Sequence, residues 1–377
     1  MNLKILPGSK IWFCHLNLPD LMSLKRKLLL INGSQFGYSA AHYYYCKYLR
    51  EEFEIEFICY DRGLRKINLE GVIIKYVPFR RRKFNRLASF ISTYVSESRT
   101  FKPDILFVVY FNICCFSALF CKGKVKILDI RTGSLNPNNL KRKIENTWLH
   151  IQALFFKKNI ILSENLRTLL RLSQNKTLLM PLGSEIYYTG DHNFRDLKLL
   201  YIGSLDGRRI SDTIEGINIF INRNIQVKSK ILYTIIGFGS SKEEQFLKEK
   251  ILSDDLDSIV HFEGIKSQIE VAAYFKEHNI GIAYLPITNY YQKQPMTKIF
   301  EYGLSGMFTI ATDTFENRLL LDESTGIICS DNPFSFAEAL ENCYNNRTKF
   351  SSTSIREKFR KFEWESLVTE KLLPFLQ

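Results

Sequence analysis

The stretch at residues 294–313 (QPMTKIFEYGLSGMFTIATD) is the richest in groups able to do chemistry. Pro295 sets a turn, and Thr297 is a residue type that caps a helix start by accepting a backbone N–H. Lys298 and Glu301 are three apart and so share one face of the helix predicted to follow. Free N–H groups at a helix start, with a lysine beside them, suit phosphate oxygens. A carboxylate one turn further in can accept both hydroxyls of a ribose. On spacing alone, the plainer reading is a surface Lys–Glu pair contributing roughly a few tenths of a kcal/mol.

Two further constellations stand in the first half. Gly33 and Gly37 flank a turn (GSQFG) after an apolar run at 27–32, and glycines there let the backbone approach a ligand closely. The spacing is not the dinucleotide G-x-G-x-x-G, so an ordinary tight turn is the competing reading. Asp129 and Arg131 follow another apolar run. Both reach a cleft if that strand continues through Arg131, because residues two apart share a face. If it stops at Ile130, one lines the cleft and the other anchors the loop 132–139. His42 follows the glycine turn and reads as a partly buried structural histidine. The six histidines and eight cysteines show no Cys-x-x-Cys and no metal-type spacing. Cysteines inside apolar runs pack as small hydrophobes and point to a reducing compartment.

Alternating strand and helix signals must position these groups. Strands are predicted at 27–32, 55–60, 72–77, 105–109 and 127–130, with a helix at 39–50. The pattern restarts with strands at 199–203, 231–237, 259–262, 280–284 and 308–311. Between them fall helices at 211–222, 243–252, 270–278 and from 298. Such alternation predicts α/β layers with parallel sheets, wound twice. A last helical stretch falls at 354–376. The organisation expected is an extension at 1–24, Rossmann-like domains at 25–190 and 191–350 and a helix at 351–377.

The 294–313 stretch resembles the P-x-K-x-x-E-Y-x-x-x-G segment of retaining GT-B glycosyltransferases of family 4. Lys298, Glu301, Tyr302 and Gly306 match it, with the proline one residue early. Four more segments resemble the family in the right order: 179–185 (LMPLGSE), 201–209 (YIGSLDGRR), 235–240 (IIGFGS) and 261–265 (HFEGI). The resemblance implies two Rossmann-like domains facing across a cleft, 25–190 on the acceptor side and 191–350 binding the nucleotide-sugar, with the helix at 351–377 crossing back to the first. Glu301 would hold the donor ribose, while Arg209, aided by Lys298, would neutralise the leaving diphosphate. Gly203, Gly237, Ile265 and Thr297 would line the nucleotide, and Gly33, Gly37, Asp129 and Arg131 the acceptor side of the cleft. The implied mechanism is front-face retention, with the leaving phosphate helping to deprotonate the acceptor, so Asp129 is not assigned as a base. No Asp-x-Asp motif offers ligands for Mg²⁺, so neither metal nor cofactor is expected. Two positions depart from the family: Lys293 stands where a second glutamate faces the donor sugar, and Ser204 where an arginine is common.

The chain has 377 residues, 45% of them apolar and 24% charged, which excludes a disordered tail and a disulfide-stapled miniprotein. Residues 1–190 carry 30 basic against 13 acidic side chains, or +17, and residues 191–377 carry 22 against 26, or −4. The basic half therefore expects an anionic partner. Basic clusters at 79–86 and 141–143, each beside aromatics, suit an anionic membrane surface. No nucleic-acid motif accompanies them. The apolar run at 105–121 is too short and too interrupted to span a bilayer and reads as a strand followed by a helix.

The reading is a transferase moving sugar from a nucleotide-sugar, UDP favoured, to a saccharide or lipid-linked saccharide in surface polysaccharide assembly. It would work in the cytoplasm, on the inner face of the membrane. The alternative is an inactive nucleotide-sugar or glycan binder on the same fold.

Overall fold

The computed structural model describes residues 25–377 except 135, 137, 289, 290 and 294. The extension expected at 1–24, with Cys14, lies outside the described residues, as do Gln294 and the Lys293 side chain.

Two parallel sheets are built in succession. The first contains β1 (Arg26–Asn32), β2 (Phe53–Asp61), β3 (Val72–Pro78), β4 (Ile105–Val109), β5 (Val125–Ile130), β6 (Lys158–Ile161) and β7 (Thr177–Leu179), in the order β3-β2-β1-β4-β5-β6-β7. The second contains β8 (Leu197–Ser204), β9 (Ile231–Phe238), β10 (Val260–Gly264), β11 (Ile280–Ala283), β12 (Phe308–Thr312) and β13 (Gly326–Cys329), in the order β10-β9-β8-β11-β12-β13. Both orders turn back at the first strand of the half, the doubly wound pattern.

The strands read as near-continuous apolar runs because helices cover both faces of each sheet. In β1, Leu28 and Leu30 join the core on one face and Leu29 and Ile31 the core on the other. This is the alternation a strand imposes. Each such burial contributes roughly 2 kcal/mol. The run at 105–121 divides into β4 and the helix Cys115–Phe120. The basic stretch at 79–86 leads into a long helix, Lys83–Phe101, whose Phe90, Tyr94 and Phe101 reach the core. That helix, the helices Asn139–Ala153, Glu164–Leu169, Phe315–Leu320 and Pro333–Asn346, and β6, β7 and β13 are additions to the predicted elements.

The chain passes between the halves twice, and the two passages touch. Ser184 N donates to Phe362 O at 3.1 Å, and Trp364 N donates to Ser184 O at 3.1 Å. Gly183 sits inside this crossing, where a Cβ would come within 2.7–2.8 Å of Leu367, Trp364 and the Phe362 carbonyl. The carboxyl-terminal segment is not one helix. Helix Ser352–Phe359 packs on the second half through Ile355 and Phe359, and only beyond the turn at Arg360–Phe362 does the chain cross back. There Trp364, Leu367, Val368, Leu372 and Leu376 join the first half's core.

Candidate functional site

In an open doubly wound sheet, ligands bind outside the carboxyl ends of the strands where the order reverses. Those points lie between β1 and β4 in the first sheet and between β8 and β11 in the second. The residues singled out from the sequence lie on strand ends or in the loops and helices that follow them at these carboxyl edges.

At the second switch point, β8 ends at Ser204 and residues 205–210 turn into helix Ser211–Arg223. Arg209 sits in this turn with φ +55°, a left-handed conformation that costs a non-glycine residue about 1 kcal/mol or more. Its guanidinium is half exposed, 2.6 Å from Asp212 and 3.4 Å from Asp331. Asp331 also accepts the Ile287 N–H at 3.0 Å, and Tyr284 donates to Asp212 at 3.1 Å. Burial raises the Asp212 carboxyl above its ordinary range, although Arg209 opposes the shift. The loop after β8 is thus bolted to the loop after β11. Arg208, on the other side, lies 4.7 Å over the Tyr291 ring.

Helix Thr297–Leu304 follows β11. Its start differs from the expectation by one residue. Met296 holds the N-cap position and makes no side-chain cap, while Thr297 is already helical and exposed. The helices beginning at Ala40 and Ser211 likewise have no side-chain cap, whereas Asn138, Ser163, Ser240, Ser267, Thr314, Asn332 and Ser351 cap theirs. Arg82 and Cys114 make no side-chain cap either, so the four helices that follow the switch-point strands, and helix Lys83–Phe101 with them, start with N–H groups that no capping side chain takes. Lys298 Nζ and Glu301 Oε2 are 2.5 Å apart. Glu301 is 14% exposed and its neighbour Tyr302 is wholly buried against β11. Gly281 is required there because any Cβ would enter the Tyr302 ring. Arg209 and Lys298 are thus each held beside a carboxylate.

Gly203 and Gly237 pair in register on β8 and β9, and a Cβ on Gly237 would collide with the Gly203 carbonyl. These two glycines serve the close approach of two strand ends. Ile265 is exposed just past β10, after Gly264 at φ +67°.

The first switch point is built differently. Gly37 has φ +86°, and a Cβ there would strike Ile67. Loop 62–67 closes over the turn: Gln35 accepts from Arg62 N at 2.8 Å, and Arg62 Nη2 donates to Gly33 O at 2.9 Å. Gly33 itself has open room around it.

Asp129 and Arg131 require a correction. The strand ends at Ile130, and neither residue is an open cleft group. Asp129 is fully buried with Oδ2 2.8 Å from His42 Nε2, and His42 Nδ1 lies 2.6 Å from Ser39 Oγ. A carboxylate on Nε2 selects the tautomer with its proton there, so Nδ1 accepts the Ser39 hydroxyl. Arg131 turns away to Tyr45 Oη at 3.1 Å and the Met180 carbonyl at 3.2 Å, and anchors the hinge side rather than loop 132–139. Burial pushes the Tyr45 hydroxyl above its ordinary range. The Ser39–His42–Asp129 chain was not legible beforehand because its last link spans 87 positions.

The halves also meet beyond the hinge. Asn165 donates to Glu316 at 3.3 Å, from the helix after β6 to the helix after β12. Glu185, just past the crossing, accepts from Tyr48 at 2.9 Å and Lys47 at 3.3 Å. Among the described residues no group of three or more His, Cys, Asp or Glu side chains could hold a metal ion. None of their helices is long and apolar enough to cross a membrane. A depression of about 680 Å³ lies by the starts of β12 and β13, at the edge opposite these loops.

No family model and no curated protein matches the chain. Solved structures match almost all of it. A glycosyltransferase from Rickettsia africae aligns with TM-score 0.70 at 13% identity, over 93% of this chain and 98% of that one. Anabaena HepE in complex with UDP aligns with TM-score 0.66 at 14% identity, over 92% and 98%. Sucrose-phosphate synthase from Thermosynechococcus elongatus aligns with TM-score 0.64 at 14% identity, over 92% and 97%. The fold is GT-B: two Rossmann-like domains facing across a cleft.

Proposed function

We propose that the chain transfers a sugar from a nucleotide-sugar donor held by the second half to a saccharide or lipid-linked saccharide on the first. The observation that carries this reading is the second switch point, where Arg209, an uncapped helix start and the Lys298–Glu301 pair converge. A nucleoside diphosphate would draw Arg209 and Lys298 onto its phosphates and leave Glu301 to accept the ribose hydroxyls. As the sugar–phosphate bond breaks, charge grows on the diphosphate, and fixed cations then stabilise the transition state more than the ground state. The structural neighbours include HepE in complex with UDP and in complex with UDP-glucose, which favours UDP.

Within this reading the chain is a retaining enzyme of family 4 type that needs no metal. Gly203, Gly237, Thr297 and Ile265 border the nucleotide, and the Gly33–Gly37 turn borders the acceptor. Its place is the assembly of surface polysaccharide on the cytoplasmic side of the membrane.

The test is a thermal-shift panel with UDP, GDP, ADP and CMP on the wild type and Glu301→Ala. A ligand at about 100 times its Kd stabilises by ~2.7 kcal/mol. A shift with one nucleotide, lost in Glu301→Ala, supports the reading and selects the donors to screen for transfer. No shift with any nucleotide in a folded sample removes it.

A further inference from the structure

Three helices on one face of the first sheet carry apolar side chains that the core does not use. Helix Asn139–Ala153 is apolar on two opposite sides. Leu149 and Ala153 are buried in the core. On the other side Leu140, Ile144, Trp148 and Ile151 follow one another at spacings of three or four and point outward. Leu140 and Leu154 are each 68% exposed and Ile144 is 60% exposed.

The patch continues beyond this helix. Trp148 Nε1 donates to Asn112 at 2.9 Å, which joins the stripe to helix Cys115–Phe120 and its exposed Phe116, Leu119 and Phe120. Helix Lys83–Phe101 packs beside that one and opens with Phe84, 81% exposed. A helix apolar on both sides is suited to an apolar phase on both sides, and exposed apolar surface spread over several elements marks a docking face.

The surrounding charge selects what docks. Arg80, Arg81, Arg82 and Lys83 are exposed at one end of the patch, and Lys141 and Lys143 at the other. Among the described residues these six form no ion pair and no hydrogen bond through their side chains. The carboxylate on helix Asn139–Ala153, Glu145, is engaged by Ser134 and Asn136. We propose that this face docks the molecule onto an anionic bilayer. Helix Asn139–Ala153 would lie in the plane of the headgroups, with its outer side chains at the acyl boundary and the six cations on lipid phosphates. Trp148, apolar with one N–H, is the residue type that settles at that boundary. The helix begins at the carboxyl edge of β5, so docking brings the first half's cleft edge to the lipid surface. Only the delivery of a lipid-linked acceptor rests on the transferase reading; the docking does not.

The experiment is co-sedimentation of the full chain with vesicles of phosphatidylcholine alone or mixed with phosphatidylglycerol, across a salt series. Binding to the mixed vesicles, weakened by salt, is expected. Arg80→Gln, Arg81→Gln and Arg82→Gln together should weaken it, at about fivefold for each charge. The triple variant Leu140→Ser, Ile144→Ser, Leu154→Ser should weaken it by about tenfold or more. These positions are exposed, and the UDP thermal shift run on each variant reports separately on folding and the donor site. Failure to sediment with phosphatidylglycerol overturns the docking, as does binding that ignores the apolar variant. A dimer dissolved by the apolar variant, without lipid binding, would assign the face to a second copy instead. Vesicle binding without any nucleotide shift would leave the docking intact and remove the transferase reading.

Discussion

The two halves share a winding but use their switch points in opposite ways. In the second, charged groups stand partly exposed in pairs: Arg209 beside Asp212 and Asp331, Lys298 beside Glu301. In the first, charge is buried and committed to structure: Asp129 to His42, Arg131 to Tyr45 and Met180. Both switch points also hold a non-glycine residue in the left-handed region, Arg209 at φ +55° and Ile113 at φ +65°. Strain of this kind collects where a site over-determines the backbone. The contrast teaches that the same architecture can hold its charges in partly exposed pairs at one edge and lock them into a buried wall at the other.

The largest effect should come from the wall. Asp129→Ala leaves His42 and Arg131 buried beside a missing carboxylate, and breaking such a buried pair costs about 3–5 kcal/mol. Denaturant unfolding should show that loss, whereas Asp331→Ala, on the exposed pair, should stay within ~1 kcal/mol. Equal losses would break the comparison.

Arg209→Ala should lower turnover by about 10²–10³, the effect of removing one preorganised charge-stabilising group. Arg209→Gly should be as inactive yet more stable by about 1 kcal/mol, since glycine accepts the left-handed backbone freely. A stable and active Arg209→Gly would show that the guanidinium carries no charge in the reaction. Glu301→Ala should weaken UDP by about 10-fold to 100-fold in calorimetry, the loss of hydrogen bonds to a charged acceptor.

The smallest effect concerns Glu56 on β2. Burial, reinforced by Glu97, raises its carboxyl from 4.5 to about 7. A carboxyl raised in the folded state favours folding below its unfolded value and loses that contribution as pH rises through the folded value. Stability should therefore decline between about pH 4.5 and 7 through this group. Glu56→Gln should flatten that decline in a pH series of Tm values. An unchanged slope would show that this buried charge is not part of the wall's energetics.

Much of the fold could be read in advance because parallel strands buried on both faces are apolar runs, as in 27–32 and 231–237. What escaped was short or disguised. β7 has three residues, too few for a pattern. Helix Lys83–Phe101 begins in a cluster of cations that masks the spacing of Phe90, Tyr94 and Phe101. At the second switch point the local spacing of Lys298 and Glu301 was sufficient to pair them, because helix geometry alone makes them neighbours. Asp331 as a partner of Arg209 and His42 as the partner of Asp129 were not legible, since both are distant in the chain. Whether Arg131 faces a cleft turned on one residue of strand length.

The crossing between the halves makes them a doubly strapped pair. Two passages of chain lie side by side and are stitched at Ser184, so a twist of one half about the connection must shear both stitches. Bending shears neither. A swing about this two-cord spine is the movement these two stitches resist least. Gly183, pressed between the cords, keeps the spine thin enough to close.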